Sequence, residues 1–287
     1  MNKFRVLGIY RLPLFSNNAI EADRMILEHA IEALKAKSSV VLDIDFIEEP
    51  EISKVEKAYD LVLTMAQSVE ALQQLDAKRE LLPNVWNSTN AVRNCYRKKM
   101  SELMEHADLG YAPFELVQTA NLPANKFDGQ GSLWLKRGDF HAISDDDVTL
   151  AETPVEARAK MRTFAEKGVK EVIVQKHVPG DIYKFYGIAN GFFTAIRVRR
   201  FLTSDVQLDI EKLKKNVQSA AKLLDLLVYG GDCILMEDGS FQLIDLNDWP
   251  SFRICREPAA AAIGSLAAEY AENYMRVRAS QSTQKSH

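Results

Sequence analysis

The chain has 287 residues, 47% of them hydrophobic and 26% charged, with a formal net charge of −4. That length calls for two or three packed subdomains, and the charge balance argues against nucleic acid or an anionic membrane as partner. Cys95, Cys233 and Cys255 are too far apart for a CxxC or zinc spacing, and the five histidines form no ligand pattern, so a reducing, cytoplasmic setting is expected. Met1 to Arg5 runs into a strand-like segment without a leader-like stretch, and no apolar run approaches the ~20 residues of a membrane span. Residues 4–10 read as a buried strand and 19–37 as an amphipathic helix, with Ile20, Met25, Ile26, Ala30, Ile31 and Leu34 near helical spacing. Strands follow at 40–47 and 58–65, a helix at 69–75 and a short strand at 82–86, an alternation that predicts a small parallel sheet. The loop Pro13 to Asn18 follows the first strand, where ligands are met in open α/β sheets, and makes Asn17 a candidate substrate contact.

A basic helix is expected over 91–107, carrying Arg93, Arg97, Lys98 and Lys99. Strands at 114–118 and 133–136, a helix at 155–166 and a strand at 172–175 come next. Two strands, 183–188 and 192–198, flank Asn190-Gly191, a strong hairpin signal. Alternation puts Tyr183 with Phe185 on one face, Lys184 with Tyr186 on the other, and Arg197 with Arg199 on a shared face. A helix over 209–227, an Ala-rich helix over 258–275 and a polar, disordered tail complete the pattern.

The most informative stretch is Gly230 to Pro250, two apolar strands joined by a tight Glu237-Asp238-Gly239 turn. Asp232 opens the first strand, and Asp245 and Asn247 close the second, two residues apart and so on one face. In an antiparallel pair these ends are neighbours, so three oxygen side chains converge. Hard oxygen ligands of this kind suit Mg²⁺, which binds through one or two carboxylates plus substrate phosphates.

The order of these features, over residues 85–275, resembles the ATP-grasp superfamily, which includes D-alanine–D-alanine ligase, glutathione synthetase and the ribosomal-protein glutamate ligases. The segment before it resembles the α/β domain that precedes the grasp. The resemblance implies a mixed α/β protein: a pre-grasp domain over 1–88, a small lobe with its connecting helix over 89–177, a metal-bearing C-terminal lobe over 178–276, and a tail over 277–287. It implies that Lys136 binds the α/β phosphates of ATP, joined by Lys98 or Lys99, whose register is ambiguous by one. Gln175, Lys176, His177 and Val178 match the adenine-binding linker, and Asp181 falls near the acid that meets ribose. Lys184 belongs to a nucleotide- or acceptor-facing wall. Arg197 or Arg199 is expected to hold the transferred phosphoryl group. Asp232, Asp245 and Asn247 match the metal set, for Mg²⁺ or Mn²⁺, with Asp245 a shorter variant of the usual Glu.

The chain departs from the family pattern at Gly230, where many peptide-type ligases carry arginine, and at Asp248-Trp249-Pro250-Ser251-Phe252, where many have Ser-x-Pro-Gly. The phosphate-covering segment Arg137 to Ala142, with His141, holds one glycine. Ser251, Arg253, Arg256 and Arg11 are candidates for the acceptor side. The implied reaction joins a small-molecule carboxylate to an amine or similar nucleophile, at the expense of ATP and through an acylphosphate. The alternatives are a small-molecule kinase on the same fold and a nucleotide-binding protein without turnover. The pattern leaves room for a homodimer.

Overall fold

The computed structural model describes residues 3–16, 19–120, 129, 131–139 and 145–284. Its first strand, β1 (Phe4–Tyr10), is buried on both faces because both faces of its sheet are covered. Phe4 and Val6 point one way, into a cluster with Ile26, Leu27 and Leu34 of α1 (Ile20–Lys37). Leu7 and Ile9 point the other way, against Leu72 and Leu75 of α2 (Val69–Ala77). The remaining strands, β2 (Leu42–Glu48), β3 (Leu61–Thr64) and β4 (Val85–Trp86), join it in the parallel order β2-β1-β3-β4. The expected parallel sheet is therefore present.

The basic helix expected over 91–107 is two helices, α3 (Thr89–Asn94) and α4 (Arg97–Met104). The chain turns at Cys95 and takes an extended conformation at Tyr96, ψ 131°. Tertiary contacts hold this break: Asn94 Nδ2 donates to Leu224 O at 3.2 Å, and Cys95 and Met100 are buried beneath the last sheet. Ala91, Cys95, Met100 and Met104 of this segment pack in the core of the C-terminal lobe, while Lys98 N donates to Gly138 O, beside the small-lobe strand that ends at Arg137, at 2.9 Å.

The small lobe is an antiparallel sheet of β5 (Phe114–Gln118), β6 (Leu133–Arg137), β7 (Val148–Ala151) and β8 (Glu171–Lys176), in the order β5-β8-β6-β7. One face packs on α5 (Pro154–Glu166) through Leu133, Leu135, Val172, Val174, Met161 and Phe164. Strand β7 was not expected. It has four residues and follows three consecutive aspartates, so it has too little periodicity to read.

A second antiparallel sheet contains β9 (Asp181–Ile188), β10 (Phe193–Arg199), β11 (Val228–Leu235) and β12 (Phe241–Asp248), ordered β10-β9-β11-β12. Its rear face packs on α6 (Ile210–Leu223) through Phe185, Cys233, Leu243, Leu213 and Val217. The last helix, α7 (Arg256–Gln284), returns to the first domain and shares a core with β1 and α1. It continues to Gln284, well into the tail expected to be disordered. No proline falls after Pro258, and Arg278 lies 3.6 Å from Asp60, so nothing breaks the helix early. None of the described helices is long and apolar enough to cross a membrane.

Candidate active site

The hairpin brings its acids together through a bulge. Leu243 and Leu246 both enter the rear core, which strict alternation forbids for residues three apart. The register shifts between Asp232 and Cys233: Asp232 stands opposite Asp245, whereas Cys233 stands opposite Leu243. The extra residue, Ile244, turns Asp245 out of the core and onto the front face, a common use of bulges beside sites. Asn247, opposite Gly230, shares that face. On β9, Lys184 stands opposite Asp232, and its Nζ donates to Asp232 Oδ1 at 2.9 Å.

The front face of the small lobe supplies the opposing charges. In β6 and β8, Trp134 pairs with Gln175 and Lys136 with Ile173, on the side away from α5. Lys136 is 6% exposed. Burial pulls its ammonium down to about 8; Asp245 and Asp232 act against this, and Arg97 reinforces it. Arg97, first residue of α4, is buried with Nη2 3.7 Å from Asp245 Oδ2. Its Nε and Nη1 have no hydrogen-bond partner among the described residues. Burial, followed by Asp245, lifts the Asp232 carboxyl above its ordinary range against the pull of Lys184 and Lys136.

Three cations thus surround two carboxylates, and a buried guanidinium has donors to spare. Such a set fits a polyanion together with a divalent cation: unpaired N–H groups suit phosphate oxygens, and facing carboxylates with a nearby amide suit a hard metal. Asp232, Asp245 and Asn247 would hold the metal. Among the described residues no group of three or more His, Cys, Asp or Glu gathers to bind one, so the carboxylates these residues offer are the Asp232/Asp245 pair.

Other candidates are placed differently. Lys98 turns outward, its Nζ 2.9 and 2.8 Å from the two oxygens of Glu171, and Lys99 is exposed. The turn at Cys95 resets the helical phase and brings Arg97 inward instead. Sequence reasoning noted Arg97 only as part of the basic helix. Its signal, an arginine beside the two lysines, becomes readable only once the helix is known to break.

Arg197 and Arg199 do not share a face. A register shift between them sets Arg197 opposite Tyr183, which belongs to the rear core, and Arg199 opposite Ile182. Arg197 Nη1 donates to Asp181 Oδ2 at 3.2 Å. Asp181 is 1% exposed, and its Oδ1 accepts from Phe201 N and Leu202 N at 2.6 and 2.8 Å. Burial pushes its carboxyl up, but those N–H groups and Arg197 together hold it below its usual range. Both oxygens of Asp181 are occupied, Oδ1 by the backbone of Phe201 and Leu202 and Oδ2 by Arg197, an arrangement unlike a free ribose acceptor.

Gln175 is buried and donates to Ala112 O at 3.3 Å. Lys176 is exposed and Val178 half-buried, on the segment that joins the two antiparallel sheets. His177 accepts from Trp134 Nε1 at 3.1 Å. A Cβ on Gly180 would fall 2.1 Å from Leu235 O, so the connection requires glycine there. Ser251 is half-buried, Arg253 exposed, and Arg256 approaches Met25 Sδ at 3.5 Å. Asn17 and His141 lie outside the described residues. Arg11 is half-buried and its side chain is engaged by three acceptors, so it is not available as an acceptor-site cation.

A parallel-sheet domain followed by two antiparallel sheets, one carrying a buried lysine and the other an acidic hairpin, is the ATP-grasp fold. Among solved structures the chain is similar to D-alanyl-alanine synthetase A from Vibrio cholerae O1 biovar eltor, at 12% identity and TM-score 0.70, over 94% of this chain and 99% of that one. It is also similar to D-alanine–D-alanine ligase from Bacillus anthracis complexed with ATP, at 15% identity and TM-score 0.69, over 97% and 99%. A D-cycloserine synthetase matches at 14% identity and TM-score 0.65, over 93% and 99%. No protein-family model and no curated protein matches the sequence.

Proposed function

We propose that this protein is an ATP- and Mg²⁺-dependent ligase that joins a small-molecule carboxylate to an amine or similar nucleophile. The observation that carries the reading is the pairing of buried Lys136 and the unpartnered Arg97 donors with the Asp232/Asp245 pair. The full-length likeness to ligases of the D-alanine–D-alanine type supports it. Lys136, Arg97 and Lys184 would neutralise and orient the triphosphate. A divalent cation on Asp232, Asp245 and Asn247 would supply further charge stabilisation to the transferring phosphoryl group. The carboxylate oxygen attacks the γ-phosphorus, ADP leaves, and the amine displaces phosphate from the acylphosphate with loss of a proton. Positioning and electrostatics carry such chemistry, and no side-chain nucleophile is needed.

One observation favours a second reading, a small-molecule kinase. A Cβ at Gly230 would lie 2.8 Å from Pro250 Cγ, so a proline ring occupies the space over the position where many peptide-type ligases carry arginine. The test is an ATP-turnover screen over amino acids and small carboxylates, with released phosphate and product mass read together. A ligase gives a conjugate plus free phosphate, and ¹⁸O in the carboxylate passes to that phosphate. A phosphorylated product without free phosphate establishes the kinase instead.

A further inference from the structure

The order β2-β1-β3-β4 places the switch point of the parallel sheet between β1 and β3. The crevice beyond the strand ends there is where open α/β sheets take ligands. Here Arg11, the residue after β1, occupies it. Its Nε donates to Met65 O just past β3 at 3.3 Å, its Nη1 to Asp23 Oδ2 at 3.0 Å, and its Nη2 to Trp249 O at 2.6 Å. Trp249 lies two residues beyond Asn247 and is fully buried. Its φ is +34°, a conformation rare for a bulky side chain. It is held on three sides: its carbonyl by Arg11, its N–H by Val228 O at 3.2 Å, and its indole N–H by Trp86 O at 3.0 Å. A second strut from the first domain, Gln67 Nε2, donates to Asp248 Oδ1 at 2.9 Å.

We propose that Arg11 is a positioning residue, with Gln67 as its second strut. By fixing the corner at Asp248 and Trp249 it holds Asn247 on the acidic face and Pro250 over Gly230, so the first domain sets the metal affinity of a site it does not line. The proposal rests on the reading of Asp232, Asp245 and Asn247 as metal ligands. Outer partners of this kind change metal affinity by about 10–100-fold when removed.

The test is Mn²⁺ binding with a non-hydrolysable ATP analogue, followed through the EPR signal of free Mn²⁺. Arg11→Met is expected to weaken Mn²⁺ about tenfold while metal-free affinity for the analogue stays within about twofold, and Arg11→Lys to recover part of the loss. If Arg11→Met does not fold, Gln67→Leu is read in the same way, with a loss of about threefold expected because one strut remains. Wild-type Mn²⁺ affinity in the variant, or an equal fall in metal-free affinity, overturns the positioning role. Wild-type protein that binds the analogue but no Mn²⁺ overturns the metal-site reading itself.

Discussion

At the scale of single residues the site is a balance of buried charge. The Lys136 ammonium is held at about 8 because burial outweighs the two carboxylates. A lysine with a folded pKa below its unfolded value binds fewer protons in the native state, so its contribution to stability rises with pH between about 8 and 10.5. Below that window both states are charged and the cost is constant. Lys136→Met should therefore stabilise the ligand-free protein by about 1–3 kcal/mol at pH 7. That gain should shrink towards pH 10, and the variant should lose ATP-dependent stabilisation. Denaturant midpoints at the two pH values check it, and a gain independent of pH would contradict the argument. The neighbouring cations separate by direction rather than by type. Arg97→Met should weaken ATP binding at least ~tenfold, because it removes a buried guanidinium beside Asp245 whose Nε and Nη1 have no partner among the described residues. Lys98→Met, which loses a half-exposed pair with Glu171, should stay within about twofold. Calorimetric titration of both variants decides; equal losses would restore Lys98 to the site.

At the scale of elements, two bulges and one turn account for what the sequence concealed around the charged side chains. The hairpin acids were legible because turn chemistry and strand ends are local: Glu237-Asp238-Gly239 closes the turn, with Gly239 at φ +82°. Lys136 was legible from the apolar run Leu133-Trp134-Leu135 before it. Arg197 and Arg199 were set on one face by plain alternation, and the register shift between them is specified by pairing with β9, not by their own spacing. The same limit hid Arg97, whose direction depends on a helix break held by Asn94 and Leu224, 130 residues apart. The bulge that turns Asp245 outward has a close-packed counterpart in Gly231, where a Cβ would lie 2.1 Å from Asp245 O and 2.5 Å from Phe185 Cζ. Backbone cannot yield as a side chain does, so Gly231→Ala should cost about 1–3 kcal/mol by overpacking and move Asp232 off Asp245. The urea midpoint should fall and metal-dependent ATP binding should fall with it. A variant that keeps both would show that the register tolerates a methyl group.

At the scale of the whole molecule the chain is built around unequal cores. The parallel sheet, α7 and residues of β9 and β11 share one cluster, which ties the first domain to the acidic lobe. Asn87 reinforces this seam, donating to Val228 O at 2.7 Å and accepting from Leu227 N and Val228 N. The small lobe keeps a separate core beneath α5. Lys136 comes from that lobe and the acids from the other, so a ligand held by both must couple them. Local opening follows such divisions, and in the free protein β6 and β8 should exchange amide hydrogens faster than β1 and β3. ATP with Mg²⁺ at ~100 times its Kd adds about 2.7 kcal/mol to the native state. In a chain of this size that is a rise in Tm of about 4–5 °C. Exchange in β6 and β8 should slow at the same time, and EDTA should reverse most of both effects, because the carboxylates then face the phosphates without a cation between them. Hydrogen exchange and melting scans on one sample test the coupling. A thermal shift without protection of β6 and β8 would place the nucleotide somewhere other than between Lys136 and the Asp232/Asp245 pair.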